Sequence, residues 1–204
     1  SSELPEKALK FLKKDPKLAK IIRDVGKYEI RLVKNPYRSL IDAIITQQLS
    51  GAAADSISKK FQKLYQRYPR PADVINTSDS KLRSVGLSKM KVTYIKDLSE
   101  RIQSKKIRIN SLKDRSDEEV ILHLTQVRGV GRWTAEMFLI FSLGRLDVLP
   151  VGDLGLKKGI QRLYSMPELP EKDEIEQIAE KWRPYRTVAT WYIWKSLNQF
   201  GKIG

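Results

Sequence analysis

Leu124–Ala135 reads LTQVRGVGRWTA, and eighteen residues past its end Asp153 closes a second short element, PVGD, Pro150–Asp153. The first stretch is a glycine-hinged turn between two apolar segments of helical spacing. Gly129 and Gly131 permit backbone angles that place several N–H groups around one phosphate, helped by the positive end of the following helix and by the hydroxyl of Thr134. Turning carbonyls in the same hairpin, those of Thr125, Val127 and Val130, are candidate ligands for a structural monovalent cation. An anion cradle followed by a carboxylate suits an enzyme that breaks a bond in a nucleic acid. It also suits a helical module that only grips a nucleic-acid backbone, and the turn alone is compatible with a plain connection between two helices.

Composition favours the nucleic-acid readings. The 204 residues carry 39 Lys and Arg against 24 acidic residues, a formal charge of +15, which points to a polyanionic partner before it points to any fold. The absence of Cys removes disulfides, thiolate zinc sites and Cys-ligated iron–sulfur clusters. No apolar run approaches the roughly 20 residues of a membrane span, and the N-terminus does not resemble a secretory signal. His123 is the single histidine and has no carboxylate at ligand spacing, so a zinc site is not expected. Nucleophile elbows, P-loops and dinucleotide-binding glycine runs are also missing from the sequence.

The hydrophobic periodicity is helical almost throughout, which predicts an all-α fold. Asn35-Pro36 is a cap and first turn for a helix bearing Tyr37, Leu40, Ile41, Ile44 and Ile45, whose end points at Gln47–Gly51. A second helix is expected to carry Ile57, Phe61, Leu64, Tyr65 and Tyr68 and to stop near Pro69 and Pro71. Lys81–Arg115 holds eleven basic residues against three acidic ones; by default this is a solvated face. Within it, LRSVGLSKMK (Leu82–Lys91) echoes the later hairpin and makes Ser88, Lys89 and Lys91 candidates for further phosphate contacts. Ser116 and Glu119 form a prospective capping box ahead of Val120, Ile121 and Leu124. Trp133, Met137, Phe138, Ile140 and Phe141 continue an apolar helix after the hairpin, and Trp182, Trp191, Tyr192 and Trp194 belong to an aromatic-rich terminal region assigned mostly to core.

Asp153 has two compatible readings. It precedes Leu154, Leu156, Ile160, Leu163 and Tyr164, so it is well placed as a helix N-cap. A carboxylate at a helix start also feels a positive dipole that favours its ionised form, and such a group can stabilise positive charge on a sugar and orient or deprotonate a water.

LTQVRGVGRWTA followed by LPVGDLGLKKGI (Leu149–Ile160) resembles the helix-hairpin-helix DNA glycosylase superfamily, HhH-GPD. IITQQLSGAAADSI (Ile44–Ile57), LRSVGLSKMK and RPYRTVATWYIW (Arg183–Trp194) narrow the resemblance to the alkylpurine branch, the 3-methyladenine DNA glycosylases of the yeast and bacterial type. The resemblance implies one helical unit over 1–204 made of two lobes, 36–150 with the hairpin near the lobe interface and 1–35 plus 151–204. It places Asp153 at the catalytic position and Gly129, Gly131 and Thr134 at the phosphate-anchoring positions. Trp133 falls where strand-cleaving relatives place a Schiff-base lysine, and an indole cannot form that adduct. A monofunctional hydrolase without a lyase step follows. Trp133 and Met137 then line the base pocket, against the plainer reading of Trp133 as core beside Phe138; Tyr28 and Trp182 are further candidates for the pocket wall. The loop Gln47–Gly51 enters the minor groove in the family, with Gln48 the plug and Leu49 and Ser50 its neighbours, against a helix-terminal turn that is merely exposed. The implied activity is hydrolysis of the N-glycosidic bond of alkylated purines in duplex DNA by base flipping, initiating base excision repair. It requires no cofactor beyond the possible hairpin cation, and the implied partner of this monomer is double-stranded DNA with alkylated or abasic sites, in the nucleus of a eukaryote or the nucleoid of a bacterium. The alternatives are an inactive binder of damaged or abasic DNA and a generic helix-hairpin-helix tether.

Overall fold

The computed structural model describes residues 3–200; residues 1–2 and 201–204 of the expected unit lie outside the described residues. Among the described residues every regular element is helical: α1 (Glu3–Leu12), α2 (Pro16–Val25), α3 (Pro36–Thr46), α4 (Gly51–Gln62), α5 (Pro71–Ile75), α6 (Asp79–Ser84), α7 (Lys89–Gln103), α8 (Asp117–Leu124), α9 (Arg132–Phe141), α10 (Leu154–Leu163), α11 (Lys172–Ala179) and α12 (Arg186–Phe200), with 3-10 turns at Ile109–Asp114 and Glu180–Trp182. The all-α expectation holds.

The chain divides into two units, residues 32–143 and residues 1–31 with 144–204. The boundaries differ from those expected at 35/36 and 150/151. Segment 144–150 joins the second unit because Leu149 packs into its core. Thr187 laces it there: its N–H donates to the Leu146 carbonyl at 2.9 Å, and its hydroxyl accepts the Val148 N–H at 2.8 Å. Residues 32–35 go the other way, since the Val33 N–H donates to the Phe141 carbonyl at 2.8 Å and Asn35 caps α3.

In the unit of residues 32–143, α3 is the central helix and packs against α4, α7 and α9. The Asn35 side chain accepts the N–H groups of Tyr37 and Arg38, and Pro36 pre-sets the first turn. Leu40, Ile41, Ile44 and Ile45 are fully buried, each worth about 1.5–3 kcal/mol in apolar area removed from water. The predicted second helix ends early, at Gln62. Tyr65 and Tyr68 still pack their rings on Phe61, at 5.6 and 6.3 Å, but they do so from a turn in which Tyr65 OH and Thr77 Oγ1 share a 2.8 Å hydrogen bond. At α8 the Ser116 hydroxyl accepts the Glu119 N–H, while the Glu119 carboxylate pairs with Arg115.

Two of the basic residues in 81–115 are not a solvated face. Lys96 Nζ donates to the carbonyls of Ile75 and Thr77, and Lys91 Nζ to those of Ile45 and Gln47, at 2.6–3.3 Å. Both lysines close the C-terminal ends of earlier helices, where carbonyls lack partners within the helix.

In the other unit, α12 is central and packs against α2 and α10. Trp182, Tyr192, Leu18, Leu156 and Ile160 fill its core. Trp182, offered as a pocket candidate, is fully buried there and donates its indole N–H to Asp15. Asp15 also caps α2, accepts Tyr164 OH at 2.5 Å and pairs with Lys181 at 3.2 Å. Burial pushes the Asp15 carboxyl up, but the donors from Tyr164, Lys181, Trp182 and Lys17 together outweigh it and hold the group below its ordinary value. A depressed carboxyl contributes stability above its unfolded-state value and loses it as pH falls through the folded-state value. Asp15→Asn should therefore lower the unfolding midpoint at neutral pH, and the gap to the parent protein should close as the pH falls below about 4, as measured by urea titrations across the acid range.

Candidate active site

The hairpin is built from the C-terminus of α8, the turn 125–131 and the N-terminus of α9. Gly129 sits at φ +78°, and a Cβ there would meet the Tyr94 ring at 2.2 Å, so both its conformation and its neighbour require glycine. Gly131 differs. It is extended, at φ −93° and ψ −174°, and a Cβ on it would meet nothing within 4 Å. Its backbone angles do not need glycine, contrary to expectation; what its hydrogen leaves is an open approach to the helix start. Arg132, Trp133 and Thr134 form the first turn of α9, where no N-cap side chain closes the helix start, and a helix start of this kind is suited to an anion.

The hairpin is held from two sides. Asp97 on α7 accepts the Arg128 N–H at 2.8 Å and the Arg101 guanidinium at 3.1 Å. Gln47 donates its amide to the Gly129 carbonyl at 2.9 Å and to Thr134 Oγ1 at 3.1 Å. Thr134 is buried at 3% exposure, so its hydroxyl is drawn inward to Gln47 and what it offers a phosphate is its N–H. On the outer side Arg132 pairs with Glu118 at 2.6 Å and with Glu136 at 3.6 Å, and the Arg132 guanidinium holds the Glu118 carboxyl below the usual carboxylate range. Trp133 is half-buried, outside the core formed by Phe138, Leu139 and Ile140, while Met137, one turn further, is buried at 9% exposure. The carbonyls of Thr125, Val127 and Val130 lie in this turn; that of Val127 accepts the Val130 N–H at 3.1 Å and keeps its second lone pair.

The loop after α3 carries the plug candidates. Gln48 is exposed and left-handed, at φ +58°, a conformation that costs a non-glycine residue on the order of 1–3 kcal/mol. Leu49 is half-buried; Ser50 is exposed and caps α4 by accepting the Ala53 N–H. Lys91 fixes this loop from beneath through the Gln47 carbonyl, and its burial lowers the ammonium's affinity for its proton. That bond takes Lys91 out of the phosphate-contact set. Ser88 and Lys89 remain exposed at the start of α7, where Ser88 accepts the Lys91 N–H as N-cap.

In the unit that contains α10, Asp153 is half-buried and is the N-cap of that helix. Its Oδ2 accepts the Leu156 N–H at 2.8 Å and the Trp194 indole N–H at 2.7 Å. Trp191 is buried in core, edge-on to Tyr28 at 5.0 Å, and burial pushes the half-buried Tyr28 hydroxyl up to about 12. Trp194 departs from its core assignment: it is half-buried and directed to Asp153, because a buried indole N–H needs an acceptor.

Sequence reasoning missed Gln47 and Asp97 as partners of the hairpin and, in the other unit, Trp194 as the partner of Asp153. The only signal for Gln47 was its place in the Gln47-Gln48 pair; spacing gave none for the other two. For the hairpin itself, Gly129→Ala should cost on the order of 1–3 kcal/mol or more. Gly131→Ala should stay within about 0.5 kcal/mol of the parent protein. Urea unfolding checks the pair, and equal losses at both positions would contradict the geometry.

Residues 41–184 match the family model described as HhH-GPD superfamily base excision DNA repair protein. The chain is 36% identical over 188 residues, 89% of its length and 82% of the relative's, to the DNA-3-methyladenine glycosylase 1 of Schizosaccharomyces pombe. It is 37% identical over 164 residues, 78% of its length and 77% of the relative's, to the alkylbase DNA glycosidase-like protein mag2 of the same yeast. The solved structure of the S. pombe 3-methyladenine DNA glycosylase Mag1 in complex with abasic DNA superposes with a TM-score of 0.89 at 35% identity, covering 94% of this chain and 97% of that one. With a family match across most of its length and relatives at this identity, the chain belongs to the HhH-GPD superfamily of base excision DNA repair proteins.

Proposed function

We propose that this chain is a monofunctional DNA glycosylase that hydrolyses the N-glycosidic bond of alkylated purines, of the 3-methyladenine and 7-methylguanine type, in duplex DNA and so initiates base excision repair. The observation that carries this reading is Asp153, a half-buried carboxylate fixed at the start of α10 by two donors on one oxygen. As the bond from C1′ to the purine nitrogen lengthens, its electron pair leaves with the base, whose positive charge is thereby cancelled. Positive charge develops on the sugar instead. The Asp153 carboxylate stabilises it, and a water oxygen bonds to C1′, passing its proton by way of the carboxylate to solvent; the product is an abasic site and a neutral alkylpurine.

The remaining residues hold and open the duplex. The α9 N–H groups at the hairpin and the start of α7 at Ser88 and Lys89 take phosphates, supported by the overall +15 charge. Gln48, with Leu49 and Ser50 beside it, fills the gap left by the flipped nucleotide. Trp133 presents a π face to an electron-poor alkylated ring, with Met137 behind it, and offers no amine for strand cleavage. The carbonyls of Thr125, Val127 and Val130 would hold a monovalent cation that stiffens the hairpin; no step passes through it. In a eukaryote such a protein works as a monomer in the nucleus.

Replacing Asp153 with Asn should reduce release of methylpurine from randomly methylated duplex by a factor of at least 10²–10³, roughly the worth of a positioned charge at the reacting centre. Binding to an abasic-site duplex should survive. Undiminished release by the variant would remove Asp153 from the chemistry, whereas a parent protein that binds abasic DNA tightly and releases nothing would be a damage binder. Gln47→Ala should act on the other half of the task, weakening affinity for methylated and undamaged duplex alike while release at saturating enzyme changes less; a titration by fluorescence anisotropy beside a single-turnover assay separates the two.

A further inference from the structure

We infer that Trp194 is a positioning residue for Asp153, and that Gly155 and Gly159 on α10 are glycines because only they let α12 come close enough for it to act; this rests on the reading of Asp153 as the reacting carboxylate. An Asp that merely caps a helix needs the backbone N–H of the third residue on, and Asp153 has it from Leu156. The Trp194 indole adds a second donor, at 2.7 Å, to the same Oδ2. Two donors on one oxygen from different elements, the α10 backbone and the α12 side chain, fix the rotation of the carboxylate about its last bond. A cap has no use for that; a group that must meet a developing charge in one direction does.

The neighbouring glycines make the same point independently. Neither has a positive φ, and each costs a helix about 1 kcal/mol relative to alanine, so their presence needs a packing reason. A Cβ on Gly155 would stand 3.2 Å from Asp153 Oδ2, 3.2 Å from Trp194 Cδ1 and 3.4 Å from its Nε1, wedged into the hydrogen bond itself. A Cβ on Gly159, one helical turn on, would meet Ile193 Cγ2 at 2.0 Å. The two positions share one face of α10, and together they set how closely the strip of α12 carrying Ile193 and Trp194 approaches. Trp194 lies beyond the buried run Trp191–Ile193 and is half-buried, so core packing alone does not account for its place.

The test uses two variants of the whole chain. Trp194→Phe keeps an aromatic ring and removes the N–H; Gly155→Ala keeps both partners and pushes them apart by a few tenths of an ångström. Single-turnover release of methylated purine from duplex DNA is measured beside the dissociation constant for an abasic-site duplex and the thermal midpoint. The expected result is a release rate lowered on the order of ten- to hundredfold in Trp194→Phe and severalfold in Gly155→Ala, with abasic-site affinity within about twofold of the parent. A merely structural role predicts losses of rate and affinity that run parallel and track the midpoint, and that outcome overturns the inference. So does an unchanged rate in both variants while Asp153→Asn is inactive. If Trp194→Phe does not fold, Gly155→Ala decides alone. Normal release by Asp153→Asn would instead sink the reading of Asp153 on which the inference stands, a failure distinct from the other two.

Discussion

A helix leaves its first N–H groups and last carbonyls without partners, and this chain, whose regular elements are all helical among the described residues, places several of its functional candidates at those ends. In the proposed function the N-termini of α9 and α7 take phosphates, and the N-terminus of α10 is where Asp153 sits. Positive helix ends attract anions whether the anion is a nucleotide phosphate or a side-chain carboxylate. The C-termini of α3 and α5 are closed by half-buried lysines drawn from the same basic stretch that supplies the exposed Lys89. One rule of backbone chemistry therefore sorts the basic residues: some complete the fold and others remain outside for DNA.

Rigidity near the hairpin comes from a short chain of polar contacts within one unit. Lys91 holds the Gln47 carbonyl, and Gln47 holds the Gly129 carbonyl and the Thr134 hydroxyl. Asp97 completes the brace through Arg128. The residue next to Gln47 is the strained, exposed Gln48. A left-handed glutamine persists only where its surroundings over-determine it, and the Lys91 and Gln47 bonds do so. In the proposed reaction this ties the plug to the phosphate grip, so the loop enters the groove from a fixed base instead of searching for it.

The sequence was informative where local chemistry and long-range packing agree. Asn35-Pro36 followed by Leu40, Ile41, Ile44 and Ile45 announces α3 because cap, proline and apolar face coincide. The hairpin was legible from its glycines, although the two turned out to serve different ends, Gly129 conformation and contact, Gly131 access. The end of α4 was not legible. Tyr65 and Tyr68 continue the helical spacing of Phe61, yet they reach the same ring cluster from a turn, and periodicity cannot tell these apart. Lys91 looked like its neighbours Ser88 and Lys89, because nothing in a basic run says which ammonium will find two carbonyls. Trp194 failed for a related reason: helical spacing places it on the stripe with Trp191, but the fate of its N–H depends on a residue 41 positions away.

The cap and the catalyst are usually set against each other as explanations of an Asp at a helix start, and at Asp153 they need not compete. The bond that caps α10 is one of the two that orient the carboxylate, and in the proposed reaction a carboxylate held in that way faces the developing sugar cation. An alkylated purine already carries the charge that makes it a good leaving group, so the protein need not protonate it. What remains for the enzyme is to expose the nucleotide and to hold one negative group in one direction. In the proposed reaction a carboxylate built into a helix start, with an indole donating to it, answers that small demand with few parts, and an indole at Trp133 offers no amine for strand-cleaving chemistry.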